Sequence, residues 1–270
     1  MKKILFILAA IAFLSATATA DWFPGDGFKM HFPQMPNEEG YNVNATYPLF
    51  LGDDWQCTET GPVSDIHFWG SWLGGTPGEI ISFNVSIYSD FPDPDGPEGP
   101  LYSHPELLLW QHEFMAGEVM MRQIIPDPQL WEGWYDPPTG FNAYPDHDNY
   151  WQYNIFNIPE PFIQNAGEIY WLVISANVFD PEMTKWGWKS SINHFNDDAV
   201  WGEQPFVDWY ELREPPMFEV SMDLAFVITT TPEAIPTLNE WGMIILALLL
   251  LAAGTIAIIR RRKLAAAGEK

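Results

Sequence analysis

Ile80-Ile81-Ser82-Phe83-Asn84-Val85-Ser86-Ile87-Tyr88 alternates apolar and polar side chains. That period of two is the mark of a β-strand with one buried and one wet face. Ile81, Phe83, Val85 and Ile87 are assigned to the core, and Ser82, Asn84, Ser86 and Tyr88 to the other side. Similar signals occur at residues 63–69, 107–114, 151–158, 169–176 and 218–228, where Phe218, Val220, Met222, Leu224, Phe226 and Ile228 share one face. Repeated two-sided alternation belongs to antiparallel sheets. No stretch between the two ends of the chain sustains an apolar period of 3.6, and 24 prolines and 20 glycines interrupt any candidate long helix. The sequence therefore predicts an all-β domain, a jelly-roll-like antiparallel β-sandwich over residues 21–228. An irregular opening segment is expected at 21–47, with long loops at 91–103, 125–149 and 179–201.

The two ends carry addresses. Lys2-Lys3, the apolar run 4–14 and the small-residue end Ala18-Thr19-Ala20 have the three parts of a secretory signal peptide, with cleavage expected after Ala20. Behind the domain, residues 229–234 read as a short stalk. The uncharged run 243–259 follows, long enough for a transmembrane helix at about 1.5 Å per residue. Arg260, Arg261, Arg262 and Lys263 then hold the C-terminal side, with a tail at 264–270, in the cytoplasm. These features place the domain on the outside.

Composition narrows the functions. Net charge is −24, and seven of the twelve cations lie in the targeting segments. Between residues 21 and 242, Lys29, Arg122, Lys185, Lys189 and Arg213 face 35 of the 36 acids, all but Glu269, for a net charge of −30. Such a surface repels nucleic acid and anionic polymers and suits neutral glycans or cation-bearing partners. The single cysteine, Cys57, cannot form an internal disulfide and reads as a small buried apolar residue.

Residues 235–263 are similar to the IPTL-CTERM sorting signal, a relative of the PEP-CTERM tails of bacterial exported proteins. The likeness rests on Ile235, Pro236, Thr237 and Leu238, then Glu240, Trp241 and Gly242, then the apolar span and the arginine cluster. Asn239 stands where serine is common, and the chain runs on past Lys263. The resemblance implies an exosortase-type processing enzyme as partner, cleavage near the short motif, transient anchoring in the inner membrane, and delivery to the cell envelope, cell surface or extracellular matrix. Gly52-Asp53-Asp54-Trp55-Gln56-Cys57, residues 62–72 and Ser103-His104-Pro105-Glu106 resemble an uncharacterised β-sandwich domain of bacterial surface proteins with such tails. That likeness implies fold and compartment without a chemistry.

Familiar catalytic patterns are missing. His112-Glu113 lacks a second histidine at zinc-protease spacing, and there is no Gly-x-Ser-x-Gly, Cys-x-x-Cys or phosphate-binding glycine loop. A pair such as Asp54 with Asp65 is the route to a carbohydrate-active hydrolase, the alternative to a non-enzymatic surface protein. Asp90, Asp93 and Asp95, on a proline- and glycine-containing loop, offer calcium-type oxygen ligands, although the same residues suit a solvated turn. Asp146-His147-Asp148-Asn149 is a weaker metal candidate, and His67 reads as a satisfied strand residue. The 14 tryptophans are the unusual feature. Trp131, Trp134 and Tyr144 fall in the expected loop 125–149, where exposed rings would offer flat faces for binding extracellular polysaccharide; buried, they would be a secondary core.

Overall fold

A computed structural model describes residues 21–92, 102–127, 129–205 and 208–229. The signal peptide, Asp93, Asp95, most of the stalk, the sorting motif and the apolar run 243–259 lie outside the described residues. Among the described residues, no helix is long and apolar enough to cross a membrane.

The strands, in chain order, are β1 Tyr41–Asn44, β2 Leu49–Gln56, β3 Gly61–Pro62, β4 Asp65–Trp72, β5 Ile80–Phe91, β6 His104–Met115, β7 Val119–Ile124 and β8 Glu132–Asp136. They continue with β9 Phe141–His147, β10 Tyr150–Ile155, β11 Ile163–Gln164, β12 Ile169–Val178, β13 Trp186–Lys189, β14 Val200–Glu203, β15 Tyr210–Glu211 and β16 Phe226–Thr229. One sheet of eight runs β7-β10-β4-β13-β1-β8-β9, with β16 also paired to β4; a sheet of six runs β15-β14-β2-β12-β5-β6; β11 and β3 form a small ribbon. β13 takes the Gly70–Trp72 end of one edge of β4, and β16 takes its Asp65–Phe68 end. Pairing is antiparallel except between β1 and β8. This plan is larger than an eight-strand jelly roll.

The core forms where alternating side chains of the two sheets meet. Phe83 of the six-stranded sheet makes edge contacts at 5.2 Å with Phe68 and 5.0 Å with Trp186 of the eight-stranded sheet. Val85, Ile87, Leu172 and Ile174 continue the apolar layer. Ile81, expected on the core face, is exposed instead.

Four predicted segments need correction. Residues 21–47 are not irregular throughout, since β1 occupies Tyr41–Asn44, and 179–201 is not one loop, since it holds β13 and the start of β14, both recruited by pairing with distant strands. The stretch 125–149 is not a loop: it holds β8 and β9, which reach the sheet by pairing with distant β1. Residues 218–228 are not one strand. Phe218 has φ 57° and is exposed, as is Val220, and regular strand begins only at Phe226 and ends at Thr229, inside the expected stalk.

Tryptophan explains the small residues beside it. A Cβ on Gly70 would collide with the backbone of Gly187 and the ring of Trp186, and one on Gly187 would lie 2.8 Å from Cζ3 of Trp134. Trp55, Trp134, Trp171, Trp186 and Trp188 are all fully enclosed. Most of the aromatic excess visible in the sequence is thus core, which adds roughly 1.5–3 kcal/mol per large apolar side chain.

Candidate functional site

Since Trp186 and Trp188 of β13 point into the core, Lys189 points to the opposite face of the eight-stranded sheet. There it meets Asn42 of β1, Glu132 of β8 and His147 of β9, a polar row across four neighbouring strands. Lys189 Nζ lies 2.5 Å from Glu132 Oε2, and Asn42 Nδ2 donates to the same oxygen at 2.7 Å. His147 Nε2 is 3.4 Å from that carboxylate, and Nδ1 is 2.7 Å from Asp146 Oδ2. All four side chains are buried. Burial lowers the Lys189 pKa, against the pull of Glu132. Burial also acts to lower His147, but its bonds to Asp146 and Glu132 outweigh it and leave the imidazole above its ordinary 6.5.

The N-terminal segment lies over the same face. Gln152 Nε2 donates to Trp22 O at 2.8 Å, Arg122 Nε meets Asp21 Oδ2 at 3.2 Å, and the rings of Trp22 and Trp69 cross at 6.2 Å. Between this segment and the sheet is a cleft of about 530 Å³ whose lining includes Asn37, Glu38, Glu39, Arg122, Leu130 and Tyr150. Its size is that of a small-ligand site.

A second polar cluster lies behind the six-stranded sheet's β2. Asp53 Oδ2 accepts from Leu224 N at 2.6 Å and Gln34 Nε2 at 2.8 Å, while Asp54 Oδ2 accepts from Asn196 Nδ2 at 2.6 Å. Asp223 accepts from Phe195 N at 2.7 Å, with His194 Nδ1 2.8 Å away. Asp198 Oδ2 meets Arg213 Nη2 at 2.7 Å. Asp53, Asp54, Asp198 and Asp223 are all buried. Burial raises Asp53, Asp54 and Asp223, the last to about 6, and neighbouring carboxylates push the same way.

The structure joins two of the three aromatic candidates. Trp131 is 45% exposed and Tyr144 50%, and the Tyr144 hydroxyl donates to Trp131 O at 3.0 Å. Trp134 is enclosed at 0%, on the buried polar face beside Gly187, so its ring offers no surface to a ligand. Asp90 accepts from Trp171 Nε1 at 2.8 Å; its expected calcium partners Asp93 and Asp95 lie outside the described residues. Asp54 and Asp65 are not brought into one site: Asp65 is bound to Thr229 Oγ1 and the Asn157 amide instead. His67 is held by Asn154 and Thr229, and Cys57 is buried with its thiol on Glu59 O. Of the weak candidate at 146–149, Asp146 and His147 enter the buried row. Lys189 and the Asp198–Asp223 pair escaped sequence reading, since only long-range pairing assembles them; the doublets Asp53-Asp54 and Asp197-Asp198 were the available signal.

The exported, all-β domain and its C-terminal tail have counterparts in known families. Residues 233–263 match the IPTL-CTERM motif, which marks an exported, cell-surface protein recognised by an exosortase-type enzyme. Residues 30–229 match the Domain of unknown function (DUF7901), and the chain belongs to that family. No curated protein and no solved structure matches it.

Proposed function

We propose that the domain is a non-enzymatic surface protein that binds neutral polysaccharide, serving adhesion or the extracellular matrix. The supporting observation is the exposed Trp131–Tyr144 pair beside the cleft: Leu130 of the lining adjoins Trp131 in sequence, and Glu39 of the lining acts electrostatically on Tyr144. Flat rings at a rim, with amide, carboxylate and guanidinium groups inside, match the apolar faces and hydroxyl edges of sugar rings. The strongly acidic chain favours a neutral polymer over an acidic one. A hydrolase of the paired-carboxylate kind needs two accessible acids flanking one bond, and Asp54 and Asp65 are both buried and bound into separate networks.

The test is retention of the full-length protein on neutral and acidic polysaccharides. Wild type is expected to be held by a neutral polymer in moderate salt. Trp131→Ala and Tyr144→Ala should each weaken retention about tenfold, the scale of a contact worth more than 1 kcal/mol. Absence of retention, or unchanged retention in both folded variants, defeats the assignment; turnover of any polymer defeats its non-enzymatic part.

A further inference from the structure

The cluster behind β2 carries more negative charge than its own side chains neutralise. Among the described residues, four buried carboxylates, Asp53, Asp54, Asp198 and Asp223, meet only Arg213 and the half-exposed His194 as direct cationic partners, and Arg213 is shared with Glu211. Backbone and amide donors satisfy Asp53 and most of Asp223. Three buried oxygens nevertheless have no partner among the described residues: Asp54 Oδ1, Asp198 Oδ1 and Gln34 Oε1. Bare carboxylate oxygens in a buried site are costly unless a cation or proton meets them.

The geometry points to a divalent-cation site held by Asp198, Asp223 and His194. One ligand atom from each lies within 4.8 Å of the others, the spacing of donors around a single ion. Two carboxylates and an imidazole, with no thiolate, suit Mn²⁺ better than a soft metal or than Ca²⁺, whose ligands are oxygens. Asp198 keeps one oxygen on Arg213 and has the other free, so it can bind the ion without losing its ion pair. Asp54, whose charge acts on the same group, adds attraction. His194, 49% exposed at its side chain, opens the site to solvent and gives the ion a way in. Metal bound here joins Asp223, which precedes the final strand, to the 194–198 segment beside β2, and so ties the end of the domain to the six-stranded sheet. The site is independent of the polysaccharide reading, because neither Trp131 nor Tyr144 takes part.

The experiment is calorimetric titration of chelator-treated full-length protein with Ca²⁺, Mn²⁺ and Zn²⁺, paired with melting curves. Mn²⁺ should bind at one saturable site, more tightly than Ca²⁺, and raise the melting temperature. His194→Ala, a change at a half-exposed position that leaves the buried acids in place, should weaken that binding at least about tenfold, and Asp198→Asn should do the same or more. Absence of heat and of any melting shift with Mn²⁺ overturns the site, as does binding of Zn²⁺ or Ca²⁺ alone or binding undiminished in both variants.

Discussion

The two buried ionic clusters solve the same problem in opposite ways. Around Glu132 the chain supplies its own countercharge: Lys189 at 2.5 Å and His147 at 3.4 Å on one carboxylate, with Asn42 donating as well. Behind β2, carboxylates gather faster than cations, and hydrogen bonds from backbone and amides do much of the holding. A buried pair is held by mutual neutralisation and fails when one member goes. A crowded set of like charges holds a residual repulsion that anything positive relieves. The two regions should therefore answer the same kind of substitution with opposite signs.

The largest contrast lies in neutralising one member of each. Lys189→Met leaves Glu132 buried beside one imidazole and should lower unfolding free energy by about 3–5 kcal/mol in denaturant titration, and Lys189→Met with Glu132→Gln should recover much of that loss. In chelator, Asp54→Asn should raise stability by about 1 kcal/mol, because it removes one charge from the crowd and keeps an acceptor for Asn196. A loss of several kcal/mol there would show that the acids are already balanced. The contrast extends to pH. The folded state holds the His147 proton more tightly than the unfolded chain, whose value stays near 6.5. Stability from this contact is complete below that value and is withdrawn as pH rises through the elevated one. A thermal scan should show an alkaline-side decline that His147→Gln flattens. The smallest effect belongs to the surface: Trp131→Ala should change stability by no more than about 0.5 kcal/mol, whereas Trp134→Ala should remove about 3–5 kcal/mol.

Legibility followed how local each signal was. β5, β6, β10 and β12 announce themselves by alternation, and each pairs with a neighbour that does the same. The targeting motifs are local strings and were readable for that reason. β8 and β9 were hidden, because Pro137, Pro138, Pro145 and Gly140 give 125–149 the look of a loop while β1, far off in sequence, supplies the pairing. Tertiary pairing overrode local composition there. At 218–228 the error ran the other way: correct alternation could not make a strand through a residue with φ 57°. Lys189 follows Trp186-Gly187-Trp188, where nothing local says that its charge will be enclosed. Its burial is decided by Glu132, which lies on another strand two places along the sheet.

The position of β13 sets the tempo of assembly. Residues 186–189 separate β1 from β4 in the middle of the larger sheet, and residues 226–229 complete the same edge of β4. A chain crossing a membrane from its N-terminus delivers β1 and β4 first; β8 and β10 then pair one edge of each, and the edges that face β13 and β16 stay bare. They wait for the last quarter of the domain. Pairings this distant make folding slow, and bare edges in the interval invite association with other chains. The larger sheet should therefore close late, when β13 and then the strand that directly precedes the sorting tail arrive. Nascent copies stalled before that point are the ones that aggregate.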